Sequence, residues 1–498
     1  MNLRPYQITA KNETREEFSR GNKRVILCKP TGSGKTVTFA DIARETVLRG
    51  GAVMVVVDRK ELLDQAREKL ISYGLLPQII TAGKTVRLGA NCYVATVQTL
   101  IKRTFPRIDL LIIDEAHKQI FDKILARPEY LDVYTIGATA TPKRSGKMNQ
   151  LSNFYQALIE PVTISELISE GFLVPAITFG AKVDTTKIKT KGEDFDTSDM
   201  YNVFDKATLY AGVVDKYQKY GANTKAICFC INVEHSKKTA AAFNAAGISA
   251  VHLDGSIAKK ERESILKAFS AGMFQVITNV EVLTTGYDEW TIETVIVNLA
   301  TKSLPKWLQM AGRGSRITPD KFKDKEGYLQ KTHFNLIDMG GNVYSLGFWE
   351  AEREYSLTHT RKDTLDTAPV KECPEDEKDI NGLSGCGALL HLSAVKCKCG
   401  YIFPLKKKEE PKEVEFIQLE NYDFLPPELV GKSWGTMTIE ELIQVQENKK
   451  YKQGWIIKQI LLNKDLNLID YAKIKGYNYP EAWVARMERM YIKQPQQI

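Results

Sequence analysis

The chain has 498 residues, 43% of them hydrophobic and 26% charged. At ~150 residues per domain this length predicts about three domains, and either large half is long enough to bury a core without disulfides or metal. The composition excludes a mostly disordered chain and a collagen. Lys and Arg number 69 against 61 Asp and Glu, a net charge of +8 that permits a polyanionic partner without demonstrating one. No apolar run approaches the ~20 residues of a membrane helix. Met1 to Tyr6 opens directly into polar sequence, with no signal peptide. These features predict a cytoplasmic protein with no membrane partner. Of the 8 Cys, Cys28, Cys92, Cys228 and Cys230 lie in apolar stretches and read as core. The other four cluster between Cys373 and Cys399.

Residues 1–165 alternate strand and helix patterns. An apolar run at 24–28 ends in a Gly-rich turn, and 37–48 reads as a helix. A buried strand at 52–57, a helix at 61–73 and further strands at 110–113 and 134–137 follow. Short continuous apolar runs separated by helices predict a parallel sheet covered on both faces. Residues 166–204 read as a connector, polar over 184–200. Residues 205–350 repeat the rhythm, with strands at 226–231, 250–253, 275–278 and 294–298 and helices at 236–246 and 259–270. A Cys-rich segment at 365–405 and a charged linker at 406–415 come next. The tail, 420–498, reads as helical, with Tyr451 near Trp455 and Tyr477 near Trp483. Two amphipathic helices packed by their aromatics are the favoured reading of the tail, and a basic-aromatic nucleic-acid contact is the other.

Cys28-Lys29-Pro30-Thr31-Gly32-Ser33-Gly34-Lys35-Thr36 sits between a buried strand and a helix. That is the context of a phosphate-binding loop. Gly32 and Gly34 accept the backbone angles that turn amides inward, and the amides and helix N-terminus hold phosphate oxygens. Lys35 supplies a positive charge to the β- and γ-phosphates, and Thr36 a hydroxyl to Mg²⁺. Lys29 stands where the usual pattern begins with Gly. Leu111-Ile112-Ile113-Asp114-Glu115-Ala116-His117 ends an apolar strand in two carboxylates. Alone, that pair reads equally well as a helix cap. Beside a phosphate loop, Asp114 is a candidate to orient Mg²⁺ and Glu115 to deprotonate an attacking water.

With these residues in place, the chain resembles a superfamily 2 helicase or translocase, two tandem RecA-like parallel-sheet domains followed by a zinc-knuckle-like segment and a helical tail. Asp114 to His117 spells DEAH. Leu3-Arg4-Pro5-Tyr6-Gln7 resembles the adenine-reading motif, and Ala138-Thr139-Ala140-Thr141-Pro142 the motif that couples hydrolysis to domain movement. The stretch 278–288 resembles motif V, and Gln309-Met310-Ala311-Gly312-Arg313-Gly314-Ser315-Arg316 resembles motif VI. The resemblance implies that Arg4, Gln7, Thr31, Gly32, Ser33, Gly34, Lys35, Thr36, Asp114, Gly286 and Asp288 hold ATP and Mg²⁺. It implies hydrolysis through Lys35, Glu115, Gln309, Arg313 and Arg316, with Gln7 reading the adenine edge and the arginines reaching across a closing cleft. It further implies nucleic-acid contacts at Arg59, Lys60, Thr96, Gln98, Asn232 and Thr284.

Within that superfamily, Leu3 to Gln7, Val282 to Asp288 and Ile337-Asp338-Met339-Gly340-Gly341-Asn342 resemble RadD-like bacterial and phage DNA repair helicases. The implied partner is single-stranded, forked or branched DNA in repair, recombination or replication, with recombination or single-strand-binding proteins alongside. An RNA helicase on the same motor and an ATP-switched nucleic-acid clamp are the alternatives. No nuclease motif is legible, which makes a restriction-type motor subunit the weaker reading. Cys373, Cys386, Cys397 and Cys399 have the clustering of a structural Zn²⁺ site. The first pair is stretched and the second is Cys-x-Cys, leaving His391 as an alternative ligand and reduced thiols as the other outcome. Such a knuckle could present Lys396 and Lys398 to DNA.

Overall fold

A computed structural model describes residues 3–491 apart from 83–88, 104–105, 145–149, 181, 204–211, 285–286, 324, 328, 359–369, 405–426, 430–431 and 449–450. The chain divides into one compact unit over Met1–Leu405 and a second over Lys406–Ile498. Gly286 and the charged linker at 406–415 lie outside the described residues.

The first sheet contains β1 (Arg24–Cys28), β2 (Val53–Val57), β3 (Gln78–Ile80), β4 (Cys92–Thr96), β5 (Leu110–Asp114), β6 (Tyr134–Thr139) and β7 (Ala157–Ile159). They lie side by side in the order β3-β4-β2-β5-β6-β1-β7, all parallel. Every residue of β1, β2 and β4 is buried. Alternation along each strand explains why. Val25, Leu27, Val53, Val55, Val57 and Ile112 pack on one face, while Ile26, Met54, Val56, Leu111 and Ile113 pack on the other. With both faces covered, the strand has no solvent side to mark with polar residues.

The second sheet contains β8 (Ala176–Gly180), β11 (Ala226–Cys230), β12 (Ala250–Leu253), β13 (Val276–Asn279), β14 (Thr294–Asn298), β15 (Phe334–Asp338), β16 (Val370–Glu372) and β17 (Leu389–His391). Between β8 and β11, the short strands β9 (Thr190–Lys191) and β10 (Asp194–Phe195) form a separate hairpin. The order is β12-β13-β11-β14-β15-β8-β17-β16, parallel up to β8 and antiparallel from β8 to β17 and from β17 to β16. The architecture is that of two RecA-like domains.

Two spans depart from their expected form. The stretch 166–204 is more than a connector, because β8 within it pairs with β15 from Ala176↔Phe334 to Gly180↔Asp338. The Cys-rich segment is likewise joined to the second sheet, since Leu389 of β17 pairs with Thr178 of β8. Lys398 donates from Nζ to the Ala176 carbonyl at 2.7 Å, at the sheet edge.

The second unit contains helices Ile439–Asn448, Gln453–Leu462, Leu468–Ile474 and Pro480–Tyr491. They pack on Leu442, Val445, Ile456, Ile457, Ile460 and Tyr471. Tyr451 lies 4.7 Å from Trp455, and Tyr477 stacks on Trp483 at 4.8 Å, ring centre to ring centre. These aromatics serve packing. Among the described residues, no helix is long and apolar enough to cross a membrane.

Gly340 allows the chain after β15 to turn tightly against the end of β14. A Cβ there would lie 2.0 Å from the Leu299 carbonyl oxygen and 2.7 Å from the Ala300 nitrogen, both backbone atoms that cannot rotate away. Gly340→Ala should therefore cost about 3 kcal/mol of stability by overpacking, read as a lowered Tm of the purified chain. An unchanged Tm would contradict this contact.

Candidate nucleotide cleft

The loop after β1 wraps toward the helix Lys35–Leu48, whose first residue is Lys35. Gly32 has φ +98° and Gly34 φ +74°, the left-handed region in which a side chain is strained. Close approach adds to the requirement. A Cβ on Gly32 would lie 2.0 Å from Arg316 Nη1, and one on Gly34 would lie 2.6 Å from Gln7 Nε2.

A cavity of about 290 Å³ opens at this loop. Thr31, Gly32, Gly34, Lys35, Thr36, Asp114 and Glu115 line it from the first domain, and Asp288, Gln309, Arg313 and Arg316 from the second. Sequence reasoning missed Gln65 and Lys69, which enter from the helix Lys60–Ser72, and Tyr287. A basic residue on a helical face that carries several other charges gives no local sign that it faces a cleft.

Lys35 Nζ lies 3.7 Å from Glu115 Oε1. Burial opposes the charged form of Glu115, yet Lys35 leads a group of cations that holds its carboxyl below the usual value. Burial, and then the charge of Glu115, push Asp114 the other way. Burial also pushes His117 down to about 4, so its imidazole is neutral at physiological pH. His117 Nδ1 sits 2.8 Å from the Thr139 hydroxyl and 3.4 Å from Glu115 Oε2. A neutral ring thus connects the Asp-Glu turn to the end of β6 by hydrogen bonding rather than by charge.

The two arginines have different positions. Arg313 is buried and donates to the Thr284 carbonyl from Nε at 3.2 Å and from Nη2 at 2.6 Å, and to the Tyr287 carbonyl from Nη1. Burial, then the neighbouring Arg316, push it down to about 10, which leaves it charged at neutral pH. Arg313 therefore braces the motif V backbone. Arg316 pairs through Nε with Asp288 and extends Nη1 over Gly32, where among the described residues Nη1 has no hydrogen-bond partner. A buried donor without a partner, aimed at a phosphate loop, is suited to an anion.

Not every expected contact lies in the cavity. Gln7 is buried, and its amide is engaged within the chain: Oε1 accepts from the Arg4 nitrogen at 3.0 Å, and Nε2 donates to the Ser33 carbonyl at 3.1 Å. Gln7 thus braces the loop, while each of its two polar atoms keeps capacity for a further hydrogen bond. The Arg4 guanidinium lies over the Phe172 ring at 4.7 Å. Ser33 is buried and its hydroxyl donates to the Pro30 carbonyl.

Lys29 is wholly buried beneath the loop. Its Nζ donates to Thr38 Oγ1 at 2.6 Å and lies 5.1 Å from the Tyr6 ring centre. Burial, then the charge of Lys35, push its ammonium down to about 7.

The expected nucleic-acid residues lie at strand ends. Arg59 and Lys60 follow β2, and Thr96 ends β4 with its hydroxyl on Thr99 Oγ1 at 3.0 Å. Gln98 donates to the Asp58 carbonyl at 2.7 Å. Asn232 caps the helix Val233–Ala245, its Oδ1 accepting from the His235 nitrogen at 2.8 Å. Arg59, Thr284 and Gln309, with Lys118 and Lys306, line a second cavity of about 170 Å³ between the domains. Gln309 borders both cavities.

Residues 1–144 match the family model of the type III restriction enzyme res subunit, and residues 209–318 match the helicase conserved C-terminal domain. The chain carries the two domains of a superfamily 2 helicase. As such it is a nucleic-acid-dependent ATPase. The helicase is 29% identical to a 51.5 kDa protein of a Lactococcus phage, over 78% of this chain and 80% of that protein. It is 27% identical to the putative ATP-dependent helicase IRC3 of Saccharomyces cerevisiae, over 76% of this chain and 56% of the relative. It is 27% identical to the type I restriction enzyme EcoAI endonuclease subunit of Escherichia coli, over 63% of this chain. The match spans only 44% of that subunit's length. In fold it is similar to a fragment of a putative HsdR subunit from Vibrio vulnificus, with a TM-score of 0.53 at 23% identity, over 69% of this chain and 66% of that one.

The buried ammonium makes a pH prediction. The folded-state value of Lys29 lies below its unfolded value of ~10.4, so the folded chain binds this proton more weakly. The group therefore destabilises the fold fully below pH 7, and this cost fades as pH rises from 7 toward 10. Lys29→Met keeps the chain length without the charge. It should raise Tm relative to the native chain more at pH 6 than at pH 9, and an equal change at both would contradict the buried-ammonium account.

Proposed function

We propose that this helicase is a DNA-stimulated motor that hydrolyses ATP to move on or remodel DNA. The observation that carries the reading is the joint cavity, in which Arg316 of the second domain reaches Gly32 of the first. A triphosphate held there would be contacted by both domains, so hydrolysis would loosen the cleft and shift whatever the two domains grip. The second cavity is lined by Arg59, Lys118 and Lys306, each near a carboxylate it would exchange for a phosphate backbone, with Glu281 and the Thr284 and Ser303 hydroxyls beside them. Contacts of this kind position a strand without reading its bases.

Mg²⁺ fits the residues present. Asp114 is a carboxylate whose burial disfavours its charge, and among the described residues it forms no ion pair. Thr36 lines the same cavity. Asp114 and Thr36 would hold the ion, directly or through water, and the ion would neutralise phosphate charge. Glu115, kept ionised by its cationic neighbours, orients and deprotonates the attacking water.

DNA as the substrate is supported by the restriction-enzyme family model and by the restriction subunits among the relatives. A role in repair, recombination or replication rests on the RadD-like resemblance of Leu3 to Gln7 and Ile337 to Asn342. The experiment is the ATPase rate without nucleic acid and with single-stranded, forked or duplex DNA or RNA. DNA should stimulate several-fold more than RNA, and equal or greater stimulation by RNA would overturn the choice of DNA. Lys35→Ala and Glu115→Gln should each abolish turnover. Normal hydrolysis by Glu115→Gln would remove that residue's role.

Zn²⁺ in the Cys cluster is part of the same reading. The sulfur atoms of Cys373, Cys386, Cys397 and Cys399 all lie within 4.8 Å of one another, as a four-thiolate site requires. His391 stands apart, with Nδ1 2.6 Å from Ser393 Oγ. The segment extends the second sheet, so the metal would staple a sheet edge. Elemental analysis should find about one zinc per chain, and Cys397→Ser should lower both zinc content and Tm. A metal-free, fully stable native chain would contradict the site.

A further inference from the structure

Glu115 has φ +55°, a left-handed conformation that is strained for a residue with a side chain. Strain of this kind persists only where neighbours over-determine the backbone. Two backbone bonds contribute: the Ala116 nitrogen donates to the Ala138 carbonyl at 3.0 Å, and the Lys118 nitrogen donates to the Glu115 carbonyl at 3.1 Å. The larger constraint comes from Arg144, whose side chain is 3% exposed. Its Nε donates to the His117 carbonyl at 2.8 Å, and its Nη2 donates to the Ala116 carbonyl at 3.2 Å and the Lys118 carbonyl at 3.5 Å. The fork is anchored by both carboxylate oxygens of Asp122, at 2.8 and 3.0 Å. One guanidinium thus holds the three consecutive carbonyls that follow Glu115.

This clamp also faces the nucleic-acid side of the first domain. Lys118, whose carbonyl it holds, pairs through Nζ with the Asp58 carboxylate. The Asp58 carbonyl in turn accepts from Gln98. On the other side, Thr139 connects through His117 to Glu115, and Arg144 follows on the same segment that leaves β6. One side chain, Arg144, thus bonds to every carbonyl from Ala116 to Lys118, between the Glu115 carboxylate and the Asp58–Gln98 contact.

We propose that Arg144 is a positioning residue for hydrolysis. It keeps Glu115 in its strained backbone conformation and transmits the position of the Asp58–Gln98 surface to it. The inference rests on the motor reading above. Lys cannot replace Arg here, because a single ammonium lacks the planar fork that reaches the carbonyls and the carboxylate together.

The test compares the full-length native chain with Arg144→Gln, Arg144→Lys and Asp122→Asn, with Glu115→Gln as the zero. ATP turnover is measured with and without nucleic acid, and binding with a non-hydrolysable ATP analogue. Arg144→Gln should lower kcat by ~10- to 100-fold, the scale of a small misplacement of a catalytic group. Analogue affinity should stay within about two-fold, since Arg144 does not line the nucleotide cavity. Stimulation by nucleic acid should largely disappear. Arg144→Lys should fall nearly as far. Asp122→Asn, a milder change that covers the case of a folding defect in the arginine variants, should lose several-fold in kcat. A kcat within two-fold of native in Arg144→Gln or Asp122→Asn would overturn the proposal. So would analogue affinity falling in step with kcat, the mark of a merely structural residue. If the native chain hydrolyses no ATP with any nucleic acid, the motor reading itself fails, an outcome distinct from an active native chain with active variants.

Discussion

The guanidinium of Arg316 lies against the backbone of Gly32, one on each domain, and the cleft is organised around that approach. It favours glycine on one side, where φ is +98° and an added Cβ would push the arginine tip away. On the other side stands a buried N–H that has no partner among the described residues, which is unfavourable unless an anion comes to meet it. Asp288 holds the same arginine from the side, and Arg313 fixes the carbonyls of Thr284 and Tyr287 just before Asp288. Motif V, motif VI and the phosphate loop therefore form one mechanical assembly.

The sheets make this possible. Parallel strands buried on both faces place their carboxyl ends, and the loops that leave them, along one edge. Lys35 follows β1 and Asp114 ends β5, so residues distant in sequence arrive at one cavity, with Thr139 at the end of β6 bonded to His117 beside it. The rigid core beneath permits the Glu115 turn to hold a left-handed angle and Lys29 to hold a buried amine. Each of these is costly alone and stable only because the surrounding packing is fixed.

Much of this was legible in the sequence. Unbroken apolar runs gave the parallel strands, and Gly32, Gly34, Lys35, Thr36 and the Asp114-Glu115 pair gave the cavity, because local spacing carries their chemistry. Non-local contacts were less visible. Strand β8 was hidden within a supposed connector because its partner β15 comes about 150 residues later. The bracing of the loop by Gln7 was not legible, because nothing in its motif reveals that the Ser33 carbonyl lies within its reach. Arg313 and Arg316 looked equivalent in one motif, yet a difference of three positions on a tight turn sends one to motif V carbonyls and the other to the phosphate loop. The bond from Lys398 to the sheet edge was not legible either, since Ala176 lies 222 residues earlier in the chain.

The most direct test of the account is hydrolysis by Arg316→Gln beside nucleotide binding by the same variant. If Arg316 completes the site across the cleft, DNA-stimulated turnover should fall by ~10³-fold or more, the scale of a lost arginine finger, while ADP still binds near native affinity. Turnover within a few-fold of the native rate would contradict the account, because the cleft would then be working without the contact on which it is organised.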